Sequence, residues 1–272
     1  MCAEKADPRQ LLGRMKLICV LMVLPAACTP TPNQSAKPGA HVAPGGTLRA
    51  GINLGNPVLA VRDPATGELG GVAIDISREL ARRVEVPLRF VTYDSAARMA
   101  EEARSDAWDV AFLGADPARE NDITFTAPYL TLEATYLVPA GSRLQLPADV
   151  DAPGVRIAAR PRSAYDLALR RIITRAQLAY PEAGETDVDL LATGRADALA
   201  GLRSVLVNTA ASMPGSRVLD DHFATISQAI GVPNGRKVAS AYLDDFLATI
   251  KKNGFVAGAI RRTGALGASA AP

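Results

Sequence analysis

The chain has 272 residues, a net charge of +2 and an aromatic content of 5%. Its acids and bases are interspersed and its aromatic side chains are few, which argues against a nucleic-acid partner. Its three cysteines are Cys2, Cys19 and Cys28, and its two histidines are His41 and His222. Because no cysteine follows residue 28, a disulfide framework, a cysteine-based zinc site and a cysteine nucleophile are excluded for the rest of the chain. We expect no cofactor.

The first predicted element is a targeting segment, residues 1–28. A lysine precedes the apolar run Leu17–Leu24, which is too short to span a bilayer, and small residues then lead to Cys28. This pattern is typical of a secretory signal. The cysteine at the predicted cleavage point resembles a bacterial lipobox, in which the cysteine is lipidated. Pro25 stands where that motif usually has leucine, so an ordinary signal is the alternative, and Met15 is a second possible start.

Residues 29–46 are predicted to form a flexible tether. They are rich in Pro, Gly, Ala and Ser and offer few side chains that a core could bury. A lipid-anchored domain needs such a spacer to stand clear of the membrane. We therefore expect the folded part of the chain to begin near residue 47.

Segment 47–134 predicts strands that alternate with helices. The stretch TLRAGI predicts a first strand, and the stretches LRFVTY and WDVAFL predict two more. Between the first two, Ile76, Leu80 and Val84 recur at a spacing of four residues, which places them on one face of a helix. This β-α-β-α-β order is typical of a sheet flanked by helices.

Segment 135–230 shows the same order without a residue-level repeat. Strands are predicted at VRIAA and ADALAG, a helix is predicted over 163–178, and Asp187 is predicted to cap the next helix. Two further helices are expected within 231–264, and 265–272 is expected to be a disordered tail. The chain therefore predicts an α/β fold built from two similar units.

Four stretches carry a resemblance to a known family. They are LRAGI, then GELGGVAIDISRELARRV, then WDVAFLGADPARENDITFTAPYL, then the pair VRIAARPRSAYDL and LATGRADALAG. In this order and spacing, over residues 47–264, the chain resembles the bacterial extracellular solute-binding proteins of family 3. These proteins are the periplasmic receptors of ABC importers of the polar amino acid type.

The resemblance implies a periplasmic-binding-protein type II fold. Two lobes, each a sheet flanked by helices, would close on a ligand in the cleft between them. The first lobe would comprise 47–134 and 231–264, and the second lobe 135–230. The hinge strands would lie near Ala134–Pro139 and Ser227–Val232.

The implied function is that of a monomeric receptor in the periplasm or on the extracytoplasmic face, held at the membrane only by a lipid anchor. It would capture a small carboxylate-bearing solute, an amino acid or a related organic acid, and deliver it to an inner-membrane permease without catalysis. Two alternatives stay open. One is a dehydratase-like enzyme on the same fold, for which Glu133 and Asp166 are available acids; the other is a lipoprotein with a degenerate cleft.

Arg119 is the ligand residue that the resemblance identifies most specifically. It follows the strand WDVAFL, at the carboxyl end where such sheets bind ligands, and its guanidinium fork matches a carboxylate. The matching family arginine binds the α-carboxylate of the ligand; the alternative is a solvated arginine in a polar turn. Ser163 is a second candidate, either as a helix start that binds an anion or as a plain N-cap. Arg162 occupies the place of a family glycine.

The other positions of the implied site depart from the family pattern. Asn53 stands where an acid is frequent, and Asn56 stands in place of an aromatic residue. Gly114 replaces a serine or threonine, with Asp116 nearby, and Leu202 replaces an aspartate that pairs with the ligand ammonium. We expect the site to bind the carboxylate of the ligand but to lack the usual acid that pairs with its ammonium group. The ligand is then either a carboxylate without the α-ammonium or an amino acid held differently.

Overall fold

The computed structural model describes Met1 and residues 38–272. The predicted lipidation site Cys28 and the first part of the tether lie outside the described residues. None of the described helices combines the length and apolarity needed to cross a membrane. In chain order the helices and strands are α1 (Pro38–Val42), β1 (Leu48–Asn53), β2 (Val61–Arg62), β3 (Leu69–Gly70), α2 (Val72–Val84), β4 (Leu88–Tyr93), α3 (Ala96–Glu101), β5 (Val110–Gly114), β6 (Ile123–Phe125), β7 (Leu130–Val138), α4 (Pro147–Val150), β8 (Arg156–Ala158), α5 (Ala164–Ile172), β9 (Gln177–Ala179), α6 (Asp187–Ala192), β10 (Ala198–Leu202), α7 (Arg203–Ala211), β11 (Arg217–Val218), β12 (Ala224–Pro233), α8 (Lys237–Lys252), α9 (Phe255–Thr263) and β13 (Ala268–Ala270).

Within residues 38–272, eleven strands form one continuous sheet. Its main path runs β4-β1-β5-β12-β7-β10-β8-β9, and β2 pairs with β3 in a separate hairpin. Strand β1 is parallel to β4 and β5, and β8 is parallel to β9 and β10. Two parallel segments therefore flank a central pair of long strands, β7 and β12, which are antiparallel to each other.

The two long strands connect the two halves of the sheet. Leu130–Ala134 of β7 pairs with β12, whereas Ala134–Leu137 pairs with β10. Likewise, Ala224–Gln228 of β12 pairs with β7, and Gln228–Gly231 pairs with β5. Each long strand changes partner at a single residue, so one of its ends lies in the first lobe and the other lies beside the second lobe. The first lobe consists of β4, β1 and β5 with α2, α8 and α9. The second lobe consists of β10, β8 and β9 with α5, α6 and α7.

Each lobe buries its own apolar residues. In the first lobe, the predicted face of α2 is confirmed, because Ile76, Leu80 and Val84 are all buried. In the second lobe, Ile157 of β8 and Leu169 of α5 belong to a separate buried cluster. Burial of each such side chain contributes roughly 1.5–3 kcal/mol, so each lobe has a core of its own.

The tether prediction is wrong at its C-terminal end. Residues 38–42 form α1, which packs against α8, and Val42 and Ala43 are buried. Arg236 donates from Nη2 to the carbonyl oxygens of His41, at 2.9 Å, and Val42, at 3.2 Å. The local composition does not reveal this helix because the arginine that binds its last carbonyls lies far along the chain.

The prediction of a disordered tail at 265–272 is also wrong. Ala268–Ala270 forms β13, which pairs antiparallel with Leu130–Leu132 of β7. The backbone N–H of Ala271 then donates to the carbonyl oxygen of Tyr129 at 3.2 Å. Backbone hydrogen bonds hold this strand, so its small side chains carry no pattern from which it could be predicted.

The helix predicted for 163–178 ends early, because α5 stops at Ile172. The carboxylate of Asp151 accepts hydrogen bonds from the backbone N–H groups of Thr174 at 3.1 Å, Arg175 at 2.7 Å and Ala176 at 2.8 Å. These bonds, led by that of Ala176, hold the pKa of Asp151 well below its ordinary value. They also replace the donors' helical hydrogen bonds, and the chain continues into β9.

Candidate ligand cleft

The carboxyl ends of parallel strands from both lobes meet at one place. In the first lobe β1 ends at Asn53 and β5 at Gly114, and in the second lobe β8 ends at Ala158 and β10 at Leu202. Gln228 of β12 pairs with Gly114. The loops that follow these strands surround the cleft between the lobes, which is where ligands bind in open α/β sheets.

A cavity of about 50 Å³ lies in this cleft. Small-molecule sites usually measure roughly 300–1,000 Å³, so the lobes are closed more tightly than an amino acid between them would allow. Five of the predicted ligand residues line the cavity, namely Asn53, Asn56, Gly114, Ser163 and Leu202. The wall also includes residues that were not predicted, among them Ser95, Arg160, Tyr165, Ile226 and Gln228.

The two asparagines use their carboxamide oxygens to shape the loop after β1. Asn53 Oδ1 accepts a hydrogen bond from the backbone N–H of Gly55 at 2.9 Å. Asn56 Oδ1 accepts one from the N–H of Val58 at 3.1 Å. Such local turns are typical of asparagine, and they use the carboxamide oxygens while the Nδ2 groups remain as donors.

Gly114 packs tightly against the second lobe. A Cβ atom at this position would stand 2.6 Å from Ala164 Cβ of α5 and 3.2 Å from Ile226 Cγ2. The family serine or threonine cannot fit into this closed arrangement without moving Ala164. The glycine therefore explains both the missing hydroxyl and the tight contact between β5 and α5.

Arg119 lies beside the cavity but outside its wall. It ends a short 3-10 turn, Pro117–Arg119, and its guanidinium is buried. Nη1 donates to the carbonyl oxygen of Gly114 at 2.6 Å, and Nη2 donates across the cleft to the carbonyl oxygen of Arg162 at 3.0 Å. Burial lowers the pKa of Arg119 to about 10, against the opposing charge of Asp116. The positive charge of Arg119 is thus only partly compensated by the negative charge of Asp116.

Cross-cleft ion pairs hold the closed arrangement. Asp116 Oδ2 lies 2.8 Å from Arg171 Nη1 of α5, and the Asp116 side chain is 3% exposed. Its other oxygen accepts from the N–H of Ala118 at 3.0 Å, as the cap of the 3-10 turn. Arg162 of the second lobe pairs with Glu101 of α3. In this conformation Asp116 serves the contact between the lobes.

Ser163 is the N-cap of α5. Its Oγ accepts from the backbone N–H of Asp166 at 3.1 Å. Arg162, at the family's glycine position, has a φ of 56°, in the left-handed region that favours glycine. The carboxylate of Asp166 accepts from the N–H of Arg162 at 2.6 Å, which compensates part of this strain. The capping role of Ser163 is confirmed, and its binding of an anion stays a prediction.

Leu202 closes the cavity with an apolar side chain that is 8% exposed and belongs to one buried cluster with Ala134 and Ile226. Among the described residues that line this cavity, none is acidic. Sequence reasoning missed Arg160 and Tyr165 on the same wall. Arg160 lies two residues after the end of β8. Because ligands bind at the carboxyl ends of strands in such sheets, this position could have predicted it.

Comparisons with known proteins agree with this geometry. Residues 48–262 match the family model of the bacterial extracellular solute-binding proteins, family 3. A glutamine-binding protein of Geobacillus stearothermophilus is 23% identical over 191 residues, which cover 68% of this chain and 72% of that protein.

Solved structures show the same fold. A solute receptor for L-cysteine of Neisseria gonorrhoeae has a TM-score of 0.70 at 22% identity, with 84% of this chain and 93% of that chain covered. A binding component of an ABC transporter from Wolinella succinogenes, complexed with lysine, has a TM-score of 0.68 at 22% identity, with 80% and 95% covered. An ancestral amino acid-binding protein, a precursor of cyclohexadienyl dehydratase, has a TM-score of 0.68 at 20% identity, with 84% and 99% covered. The predicted type II periplasmic-binding-protein fold is confirmed, and this chain belongs to the bacterial extracellular solute-binding proteins, family 3.

Proposed function

We propose that this protein is the extracytoplasmic receptor of an ABC importer, and that it captures an amino acid or a related small carboxylate and delivers it to a membrane permease. One observation carries the proposal: five positions that the family resemblance assigns to the ligand line one cavity between the lobes, at the carboxyl ends of strands from both. Two relatives are named for glutamine and L-cysteine and a third is complexed with lysine, which favours amino acids as the solute class.

Arg119 is the carboxylate anchor in this proposal. Its guanidinium is buried, its pKa is lowered by burial, and one of its hydrogen bonds goes to a carbonyl of the opposite lobe. When the lobes separate, that N–H group loses its partner. A solute carboxylate can then replace the carbonyl and supply the negative charge that a buried guanidinium favours.

Calorimetry with an L-amino-acid panel and Arg119→Ala tests the anchor. Loss of a buried charge-assisted hydrogen bond costs about 2–3 kcal/mol, so we expect roughly 30- to 150-fold weaker binding. Arg89→Ala is the matched control, because Arg89 is an exposed arginine of β4 in the same lobe. Equal affinity of Arg119→Ala and the wild type would contradict the anchor role.

Binding of a solute should also be detectable when the solute is unidentified. A ligand that binds only the folded state raises the melting temperature, and native mass spectrometry of purified protein would show a solute carried through purification. We expect both signals. The absence of a co-purified solute and of any melting shift with amino acids or organic acids would favour the degenerate cleft.

The enzyme alternative finds no support in the acids that the sequence offered. Glu133 pairs with Arg203, and Asp166, which is fully buried, pairs with Arg170 at 3.1 Å. Neither side chain lines the cleft cavity. We therefore expect binding without turnover, and product formation from a cyclic carboxylate would contradict this.

Lipid anchoring through Cys28 is part of the same proposal. The family acts outside the cytoplasm, and a receptor tethered to the membrane stays near its permease. We expect the wild type in the membrane fraction, labelled by fatty acid, and Cys28→Ser in the soluble fraction. Recovery of both proteins in the same fraction would favour the ordinary signal.

A further inference from the structure

A second cavity adjoins the cleft on the side of the second lobe. It measures about 60 Å³ and shares four wall residues with the first cavity. These are Gly55, Arg160, Tyr165 and Leu202. Because the two cavities share these wall residues, a solute between the lobes can lie close to the walls of both.

The wall of the second cavity carries one carboxylate, Asp187, which is 8% exposed. Asp187 is the first residue of α6, but the prediction that it caps this helix is wrong. Thr186 is the cap, since its Oγ accepts from the N–H of Asp189 at 3.2 Å and its own N–H donates to the Asp189 carboxylate at 2.8 Å. No hydrogen bond or ion pair within residues 38–272 involves the Asp187 carboxylate, and its oxygen atoms keep some contact with solvent.

The surroundings of Asp187 make this carboxylate costly without a partner. The wall beside it is mainly aliphatic and includes Val188, Leu199, Val205 and Leu206. The hydroxyl of Thr209, also in this wall, donates to the carbonyl oxygen of Val205 at 3.0 Å. An ionised carboxylate in such a place is unfavourable unless a cation pairs with it.

The shared wall carries the opposite charge. Arg160 Nη1 lies 2.8 Å from where a Cβ on Gly55 would stand, and its guanidinium forms no hydrogen bond or ion pair with another described side chain. Burial, and then the negative charge of Asp187, raise the pKa of Tyr165 to about 12, while the charge of Arg160 acts in the opposite direction. Both charges therefore act on the wall between the two cavities.

We infer that Asp187 binds the ammonium group of the solute and so replaces, from a different element, the carboxylate that Leu202 lacks. Leu202 lines both cavities, so an acid is missing at its position while Asp187 is present in the wall of the adjoining cavity. The inference rests on the proposed receptor function and narrows its ligand class. The solute is an amino acid with its α-amine, rather than a simple carboxylate.

Calorimetry on the purified protein tests this with matched pairs of probes. The pairs are L-lysine and 6-aminohexanoate, L-glutamine and glutaramate, and L-cysteine and 3-mercaptopropionate; the second of each lacks the α-amine. We expect the wild type to bind at least one amino acid tenfold or more tightly than its des-amino partner. Asp187→Asn should reduce that preference below threefold. Asp220→Asn, at an exposed position of the same lobe, should keep it.

The melting temperature separates a binding role from a structural one. Asparagine removes an unpaired buried charge, so Asp187→Asn should melt at or above the wild-type temperature, whereas a structural carboxylate would lower it. An unchanged preference in a folded Asp187→Asn, or a wild type that prefers the des-amino probes, would overturn the inference and leave the receptor function standing. No binding of any probe and no co-purified solute would overturn both.

Discussion

Gly114→Ala tests whether the contact between the lobes sets the closed conformation. The new Cβ would stand 2.6 Å from Ala164 Cβ, whereas ordinary carbon contacts begin near roughly 3.4 Å, so one lobe must move by nearly an ångström. Overpacking of this kind costs about 1–3 kcal/mol. Ala164 belongs to the other lobe, so the larger part of the cost falls on the closed state, whereas the milder 3.2 Å contact with Ile226 of β12 is common to both states.

This cost changes the ratio of open to closed protein. At about 1.4 kcal/mol per factor of ten, the ratio of open to closed protein without ligand should rise roughly 5- to 150-fold. Small-angle X-ray scattering of ligand-free protein measures the change as a larger radius of gyration. Far-UV circular dichroism should stay the same, because neither lobe is disturbed internally.

Gly70→Ala is the matched control. Gly70 also lies in a strand of the first lobe, and a Cβ there meets no atom within 4 Å. Its scattering should equal that of the wild type. Identical scattering of Gly114→Ala and Gly70→Ala would show that the contact between Gly114 and Ala164 does not determine closure.

Three further predictions concern charges. Arg171→Gln removes a cross-cleft ion pair, so the radius of gyration should increase at low salt and lose the salt dependence that screening gives the wild type; an unchanged salt response would contradict this. Asp166→Asn removes a fully buried carboxylate that accepts from a backbone N–H at 2.6 Å and from a tyrosine hydroxyl at 2.8 Å. The free energy of unfolding in urea should therefore fall by about 2–4 kcal/mol. For the control Asp245→Asn, at an exposed position, it should fall by less than about 0.5 kcal/mol. The hydrogen bond from Arg82 is the largest of the effects that lower the pKa of Glu79 from 4.5 to about 2. The pKa is lower in the folded state, so the stability that this pair provides is present above about pH 4.5 and is lost as the pH falls through about 2. Glu79→Gln should therefore flatten the acid limb of the urea midpoint plotted against pH, and an unchanged limb would refute the assignment.

The order of elements and the family motif follow from the sequence alone. The buried face of α2 depends on residues four apart, and the cap of α5 depends on Ser163 and a residue three positions later. Such features are local, so neighbouring residues along the chain suffice to predict them. The position of Arg119 at the carboxyl end of a strand is local in the same sense.

The contacts of those residues follow from the tertiary structure. Arg119 donates to a carbonyl 43 positions away. Just after α5 ends, Thr174 donates its N–H to Asp151, which lies 23 positions upstream. In α1, the carbonyl of His41 accepts from Arg236, which lies 195 positions downstream. Asp187 was predicted to cap a helix and instead shares a cavity wall with Leu202, and that wall is built by four separate segments. From the sequence, the family resemblance predicts a cleft with an arginine beside it. How tightly that cleft closes, and where its negative charge lies, depended on contacts between distant segments, because a side chain's partners are set by the packing of the lobes and not by its neighbours in the chain.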